Sequence, residues 1–106
     1  MKLKTELLAR LLDDDSIEHR KSRFSKEEAL FVGKREIAHF HSNNEIDVRL
    51  TRPEIRRREL RKSSDPRIHF TSPGSDWIVV TFRRESDLPF VLELLEAADR
   101  ANIAAT

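Results

Sequence analysis

Apolar residues recur along this chain at two spacings, and these divide it into helices and strands. Leucines between Leu3 and Leu12 recur every three or four residues, which predicts a short helix with one apolar face. A C-terminal helix is expected after Ser86 or Asp87, either of which can cap it, with Pro89 in its first turn. Its apolar stripe comprises Leu88, Val91, Leu92, Leu95 and Ala98. Such a stripe predicts that this helix covers a sheet.

Short apolar runs between the two helices predict strands. Residues 16–24 contain few large apolar side chains, so they indicate at most a ragged edge strand. Ser25–Glu28 has the spacing of a helix capping box, but the apolar run Ala29–Val32 ends at once at Gly33, which favours a buried strand. Further strands are predicted at 35–41, 45–51, 68–72 and 77–82.

The clearest hairpin is predicted around Ser42, Asn43 and Asn44. An Asn-Asn pair tolerates the positive φ of a two-residue loop, and with this loop Ser42 pairs with Glu45. Counting back gives one set of pairs: His41 with Ile46, His39 with Val48, and Ile37 with Leu50. The other face then holds Phe40 with Asp47, Ala38 with Arg49, and Glu36 with Thr51. This register predicts that both histidines lie on the apolar face, away from both carboxylates.

After the hairpin, Pro53 suits the first turn of a short helix at 54–62, which the segment Ser63–Pro66 ends. Pro73–Asp76 has the composition of a turn. The predicted order of elements is α-β-β-β-β-α-β-β-α. We therefore predict an α+β fold in which a mostly antiparallel sheet carries an N-terminal and a C-terminal helix. No repeat or linker divides the sequence, so residues 1–106 are expected to form a single domain.

Composition narrows the function mainly by what it excludes. The 106 residues carry a net charge of +1, with 37% charged and 38% apolar residues. Cysteine is absent, which excludes disulfides, thiolate nucleophiles and cysteine-bound zinc. Two glycines are too few for Gly-rich phosphate loops. No apolar run reaches the roughly 20 residues of a membrane span, and no signal-type segment is present, so a cytoplasmic protein is expected.

Two stretches of the chain carry an ordered set of motifs. The first, Val32–Leu50, contains a glycine turn, an Arg-Glu pair, a His-x-His strand, a short turn and a strand with Asp47. The second runs from Ser75 through the Trp77 strand to Ala101. In this order the motifs resemble those of a family of small proteins known as the luciferase domain. The family is functionally uncharacterised, so the resemblance does not imply light emission. This chain departs from the family pattern in its Asn-Asn turn and its Arg-rich helix. The order of elements is also similar to the MmcQ/YjbR-like small domains, at the level of fold alone.

His39 and His41 are the sharpest chemical feature of the sequence. Side chains two residues apart on a strand point the same way, so the imidazoles could converge on a metal, with His69 or His19 as a third ligand. The predicted register places no carboxylate beside them, and no zinc-protease motif accompanies the pair. Two other interpretations remain open. One is a metal-independent pocket, and the other, which we favour, is a pair of partly buried histidines hydrogen-bonded within the sheet.

The segment from Arg49 to Arg67 is the strongest electrostatic feature, because its basic residues outnumber the nearby acidic ones. These basic residues are Arg49, Arg52, Arg56, Arg57, Arg58, Arg61, Lys62 and Arg67. Arginine binds phosphate bidentately, so a helix that presents several arginines could bind an anion. A solvated helix face is the alternative, since the chain as a whole is near neutral. Trp77 is interpreted as a core anchor.

Together these features predict a small non-catalytic binding domain without a cofactor or a bound metal. Its expected partner is an anionic ligand, a nucleic acid or another protein, held by the hairpin and the Arg-rich helix. The predicted binding residues are His39, His41, Arg49, Arg57, Arg58 and Arg61. The alternative is an enzyme or metal-dependent protein that uses His39 and His41. A homodimer formed through an uncovered sheet face is a third option.

Overall fold

The described part of the chain folds into three α-helices and a six-stranded sheet, in the order predicted from the sequence. These elements come from a computed structural model that describes residues 2–11, 17–21, 27–72 and 74–105. The helices are α1 (Lys2–Leu11), α2 (Arg52–Arg57) and α3 (Leu88–Ala105). The strands are β1 (Glu18–Lys21), β2 (Glu28–Val32), β3 (Arg35–Phe40), β4 (Glu45–Arg49), β5 (Ile68–His69) and β6 (Trp77–Thr81). Predicted features at Leu12, at residues 22–26 and at Pro73 lie outside the described residues.

The sheet is antiparallel in all its described pairs and has the strand order β1-β2-β3-β4-β6-β5. The first four strands form a meander, in which each strand pairs with the next one along the chain. β6 then lies between β4 and β5, which makes it an interior strand. This arrangement confirms the predicted α+β class. Within the described ranges, no helix has both the length and the apolar character needed to cross a membrane.

One face of the sheet packs against α3, and α1 packs beside α3. The side chains buried between these elements include Leu7, Ala38, Phe40, Ile46, Val48, Ile78, Val80, Leu88, Val91, Leu95 and Ala98. The predicted apolar stripe of α3 is confirmed, with Leu92 only partly buried. Because the burial of one large apolar side chain contributes roughly 1.5–3 kcal/mol, this face is a main source of stability.

β3 and β4 pair one residue away from the predicted register. The observed pairs are Ala38 with Val48, His39 with Asp47, and Phe40 with Ile46. The predicted two-residue loop is also wrong. Residues 41–44 connect the two strands, and neither Asn43 nor Asn44 has a positive φ.

Tertiary hydrogen bonds at Asn44 account for the different turn. The Phe82 N–H donates to the Asn44 carbonyl at 2.9 Å, and Asn44 Nδ2 donates to the Phe82 carbonyl at 3.0 Å. Within the turn, the N–H of His41 donates to the Glu45 carbonyl at 3.0 Å. These bonds override the local preference of an Asn-Asn pair. Since a one-residue change of register exchanges the faces of every side chain, His39 leaves the apolar face and lies beside Asp47.

A second irregularity lies between β2 and β3. Leu30 pairs with Ala38, whereas Phe31 pairs with Glu36, so Ile37 is an extra residue on β3. In a regular strand, residues three apart face opposite sides of the sheet. The extra residue instead lets Ile37 join the core while Glu36 reaches His39, three residues further on.

The predicted helix at 54–62 is wrong beyond Arg57, where α2 ends. Glu59 follows with a left-handed backbone (φ 53°), and a short 3₁₀ turn occupies Leu60–Lys62. The spacing of the apolar residues explains this break. Ile55 and Leu60, five residues apart, would lie about 140° apart around a continuous helix. The break lets both side chains pack against the same core.

Candidate functional site

The face of the sheet opposite α3 carries a cluster of polar side chains near its centre. Asp47 on β4 lies opposite His39 on β3, and the alternation of side chains along the strands places both away from the apolar core. The sheet-face cluster is defined here as Glu36, His39, His41 and Asp47. Its members come from β3, β4 and the turn between them.

Both histidines contact the same oxygen atom of Asp47. Asp47 Oδ2 lies 2.9 Å from His39 Nε2 and 2.8 Å from His41 Nε2. The other ring nitrogen of His39, Nδ1, lies 3.0 Å from Glu36 Oε2. The exposed side-chain fraction rises from 1% at Glu36 to 16% at His39 and Asp47 and 45% at His41. The cluster therefore has a buried end at Glu36 and a solvent-facing end at His41.

Trp77 and Arg49 lie next to this cluster on the same face. The centre of the His39 ring lies 5.2 Å from the centre of the Trp77 ring. It lies 5.4 Å from the centre of the His41 ring, and the two imidazole planes are nearly perpendicular. The Arg49 guanidinium lies 4.8 Å from the centre of the Trp77 ring, a cation–π contact. Trp77 pairs with Arg49 across β4 and β6 and is only partly buried. Its interpretation as a core anchor is therefore wrong.

The two carboxylates determine the protonation of His39. The hydrogen bond to Asp47 raises the pKa of His39 above its ordinary value, burial opposes this rise, and the charge of Glu36 adds to it. Both ring nitrogens lie within hydrogen-bonding distance of a carboxylate oxygen. A ring that donates from both nitrogens is an imidazolium, and the raised pKa of His39 favours that form.

The same atoms are spaced as ligands of one metal ion would be. Single donor atoms from His39, His41 and Asp47 all lie within 4.8 Å of one another. Two ligands about 2.1 Å from a tetrahedral metal ion are about 3.4 Å apart, so both nitrogen–oxygen distances would lengthen by about 0.5 Å when an ion replaces the hydrogen bonds. Asp47 Oδ1 is buried without a hydrogen-bond partner, so this carboxylate has further capacity to accept. Glu36 lies where a carboxylate orients a metal-bound histidine through Nδ1.

The structure corrects one expectation about the histidines. They were predicted to lie on the apolar face without a carboxylate, but Asp47 contacts both of them and Glu36 contacts His39. The one-residue difference in register places Asp47 beside the histidines, and the extra residue at Ile37 lets Glu36 reach His39. An assignment that placed the polar residues of both strands on one face would have found the correct pairing. In that register Ala38 pairs with Val48 and Phe40 pairs with Ile46.

The predicted arginines have different neighbours in the structure. Arg49 lies on the open sheet face beside Trp77. Arg57 at the end of α2 donates from Nε to Glu54 Oε1 at 3.0 Å, and Arg58, the next residue, donates from Nε to Glu54 Oε2 at 2.7 Å. These hydrogen bonds, first from Arg57 and then from Arg58, lower the pKa of Glu54 to about 2 against the effect of burial. Arg61 lies 4.5 Å from the ring centre of Phe70.

Comparison with known proteins gives one match. A family model described as "Luciferase domain" matches residues 34–98, which include the whole sheet-face cluster and Trp77. No curated protein and no solved structure matches the chain. The match agrees with the resemblance seen in the hairpin and the Trp77 strand. The likeness to the MmcQ/YjbR-like domains stays a prediction.

Proposed function

This chain belongs to the luciferase-domain family, and we propose that it is a metal-binding protein that holds one divalent transition-metal ion on its open sheet face. The ligands are Nε2 of His39, Nε2 of His41 and the carboxylate of Asp47. The observation that carries this proposal is the convergence of both Nε2 atoms on Asp47 Oδ2, at 2.9 and 2.8 Å. Glu36 orients His39 from its other nitrogen.

The charge balance of the cluster supports a cation at this position. Glu36 is almost fully buried and Asp47 is largely buried, and two such carboxylates need compensating positive charge. Without a metal, His39 supplies part of this charge when it is protonated, a form that its raised pKa favours. A divalent ion that displaces the Nε2 proton supplies more of it, while the Nδ1–H of His39 continues to donate to Glu36.

The ligand set also indicates the kind of ion and the kind of site. Two imidazoles and one carboxylate suit zinc, iron, cobalt or nickel better than calcium or magnesium. Three protein ligands leave at least one coordination position for water or an external ligand. That position faces solvent near His41, the most exposed member of the cluster. We propose binding at this centre and assign no reaction to it.

Titration of chelator-treated protein with Zn²⁺ and Co²⁺ tests the proposal. We expect one ion per chain by calorimetry and visible absorption bands from bound Co²⁺. His41→Gln and Asp47→Asn should each weaken binding at least roughly tenfold, as the loss of one ligand does. His69→Gln is the matched control, because His69 is an exposed histidine on β5. Failure of the unmodified protein to bind, or unchanged affinity in Asp47→Asn, would refute the proposal.

The other expectations for partners and location stay predictions. They are the binding of an anionic ligand, a nucleic acid or a protein through the hairpin and the Arg-rich helix, the formation of a homodimer, and a cytoplasmic location. The pairing of Arg57 and Arg58 with Glu54 reduces the positive charge that a broad nucleic-acid surface would need. The metal centre is therefore the better supported function.

A further inference from the structure

The basic residues that follow the hairpin fall into two groups with different surroundings. In the first group, Arg57, Arg58 and Arg67 hold carboxylates at short range, and Arg67 Nη2 lies 2.8 Å from Asp65 Oδ2. In the second group, basic side chains border a cleft beside α2 and have weaker partners. The second group is Arg52, Arg56, Arg61 and Lys62.

The cleft has the size of a small-molecule site. Its volume is about 410 Å³, within the roughly 300–1,000 Å³ typical of ligand pockets. Besides the four basic residues, Ile55, Glu59 and Gly74 line it. Gly74 has a positive φ (72°), and no atom lies within 4 Å of where its Cβ would be, so this side of the cleft is open. A bound anion would meet four cationic side chains and one carboxylate.

The four cationic side chains are available to a ligand. The Arg56 guanidinium has no hydrogen bond or ion pair to any residue in the described ranges. Arg52 Nε lies 3.9 Å from Asp76 Oδ1, and Lys62 Nζ lies 3.8 Å from Glu59 Oε1. Both pairs are long and solvent-exposed, so they hold their partners weakly. Arg61 is positioned against the Phe70 ring, which leaves its N–H groups free of carboxylates in the described structure.

We propose that this cleft binds a small organic phosphate monoester. The planar fork of a guanidinium matches two phosphate oxygens, and Arg56 and Arg61 both border the same cavity. Ile55 lines the cleft but is only 2% exposed, so it offers the organic part of the ligand a small apolar contact. The limited volume favours a small molecule over a nucleic-acid strand, whose binding would use a longer basic groove. The site is separate from the sheet-face cluster and does not depend on a metal.

Titration of chelator-treated protein with uridine monophosphate, uridine and inorganic phosphate tests this site at constant ionic strength. Calorimetry gives the affinity, and amide shifts in NMR spectra locate the ligand. We expect the nucleotide to bind more tightly than inorganic phosphate, uridine not to bind, and the shifts to centre on Arg52–Lys62 and Gly74. Arg56→Gln and Arg61→Gln should each weaken nucleotide binding roughly tenfold, the effect of losing a charged hydrogen-bonding partner.

Two control variants separate a built site from a general positive field. Arg57→Gln removes a charge from the same helix but outside the cleft, and Arg83→Gln removes one from an exposed position outside it. Both should bind the nucleotide as the unmodified chain does. Equal weakening in Arg57→Gln and Arg56→Gln would overturn the proposal, as would shifts centred elsewhere. Tighter binding of a single-stranded oligonucleotide, with a steep salt dependence, would overturn it in favour of a nucleic-acid surface.

Discussion

The two faces of the β3–β4 hairpin are built from alternate residues of the same strands, yet different forces hold them. On the covered face, Phe40, Ile46 and Val48 are almost fully buried among apolar side chains. On the open face, His39 and Asp47 are also largely buried, but hydrogen bonds between charged groups hold them. Apolar burial is favourable in itself, whereas buried charges cost desolvation that their partners only offset. The covered face therefore stabilises the fold, and the open face carries chemistry that stability alone does not require.

The extra residue on β3 connects the two faces. It places Ile37 in the apolar core and aligns Glu36 with His39 on the opposite side. A regular strand could not satisfy both contacts, because residues three apart point in opposite directions. Bulges often occur where a strand must redirect a side chain to a site. Here the bulge directs the Glu36 side chain to His39.

The largest effect is expected on the covered face. Phe40→Ala removes a fully buried ring from between the sheet and the helices and should lower the free energy of unfolding by about 3–5 kcal/mol. Urea denaturation followed by circular dichroism measures the change. Metal affinity of the folded fraction should stay unchanged, since Phe40 lies on the other face. A loss below 1 kcal/mol would mean that this face is not the core.

Replacement of the orienting carboxylate tests the open face. Glu36→Gln keeps an oxygen that can accept from His39 Nδ1 but removes the charge, so Zn²⁺ affinity should fall roughly 10–100-fold. Calorimetry measures the affinity, and a changed spectrum of bound Co²⁺ would report an altered ligand field. Glu45→Gln is the control, because Glu45 is a carboxylate on the same strand as Asp47 but outside the cluster. Equal losses in the two variants would indicate a general charge effect instead of orientation by Glu36.

The same comparison explains which parts of the structure could be predicted from the sequence. The stripe of α3 and the order of elements follow from apolar spacing, which reports burial on the covered face directly. The register of the hairpin was predicted incorrectly, because the local preference of Asn43 and Asn44 for a two-residue loop was given more weight than the apolar spacing of the two strands. The actual turn depends on Phe82, which is distant in sequence. With that turn, His39 lies beside Asp47 and not beside Val48.

Other features of the two candidate sites were also missed, each for a reason of its own. Glu36 is found only when the extra residue at Ile37 is known, and no local pattern marks that residue. Arg57 and Arg58 were predicted to bind a ligand, but Glu54 occupies both because of their helical spacing. Arg56 was part of the predicted basic segment. Only the break after α2 shows that it shares a cleft with Arg61.

A substitution in the turn tests whether the core or the turn determines the register. Asn44→Gly creates an Asn-Gly pair, the strongest sequence for a two-residue loop, and removes the side-chain bond to Phe82. We expect a loss of about 1–2 kcal/mol from the lost hydrogen bond, with the register unchanged. A shifted register would expose Phe40, Ile46 and Val48 at a larger cost. Cross-strand nuclear Overhauser effects between His39 and Asp47 measure the register, and their loss would show that the turn dominates.

The smallest effect is expected at Glu54, where a charge pair lies outside both faces of the hairpin. Its pKa of about 2 in the folded chain lies below the ordinary value of 4.5, because Arg57 and Arg58 donate to its carboxylate. The pair therefore stabilises the fold above pH 4.5, and this contribution is lost as the pH falls towards 2. Solvent screening limits it to about 1 kcal/mol. Glu54→Gln should lower the free energy of unfolding at pH 7 and match the unmodified chain near pH 2. Glu59→Gln is the control, because the 3.8 Å pair of Glu59 with Lys62 is exposed to solvent. It should change the free energy of unfolding little at either pH. A difference between Glu54→Gln and the unmodified chain that persists at pH 2 would mean that packing, and not charge, explains the role of this residue.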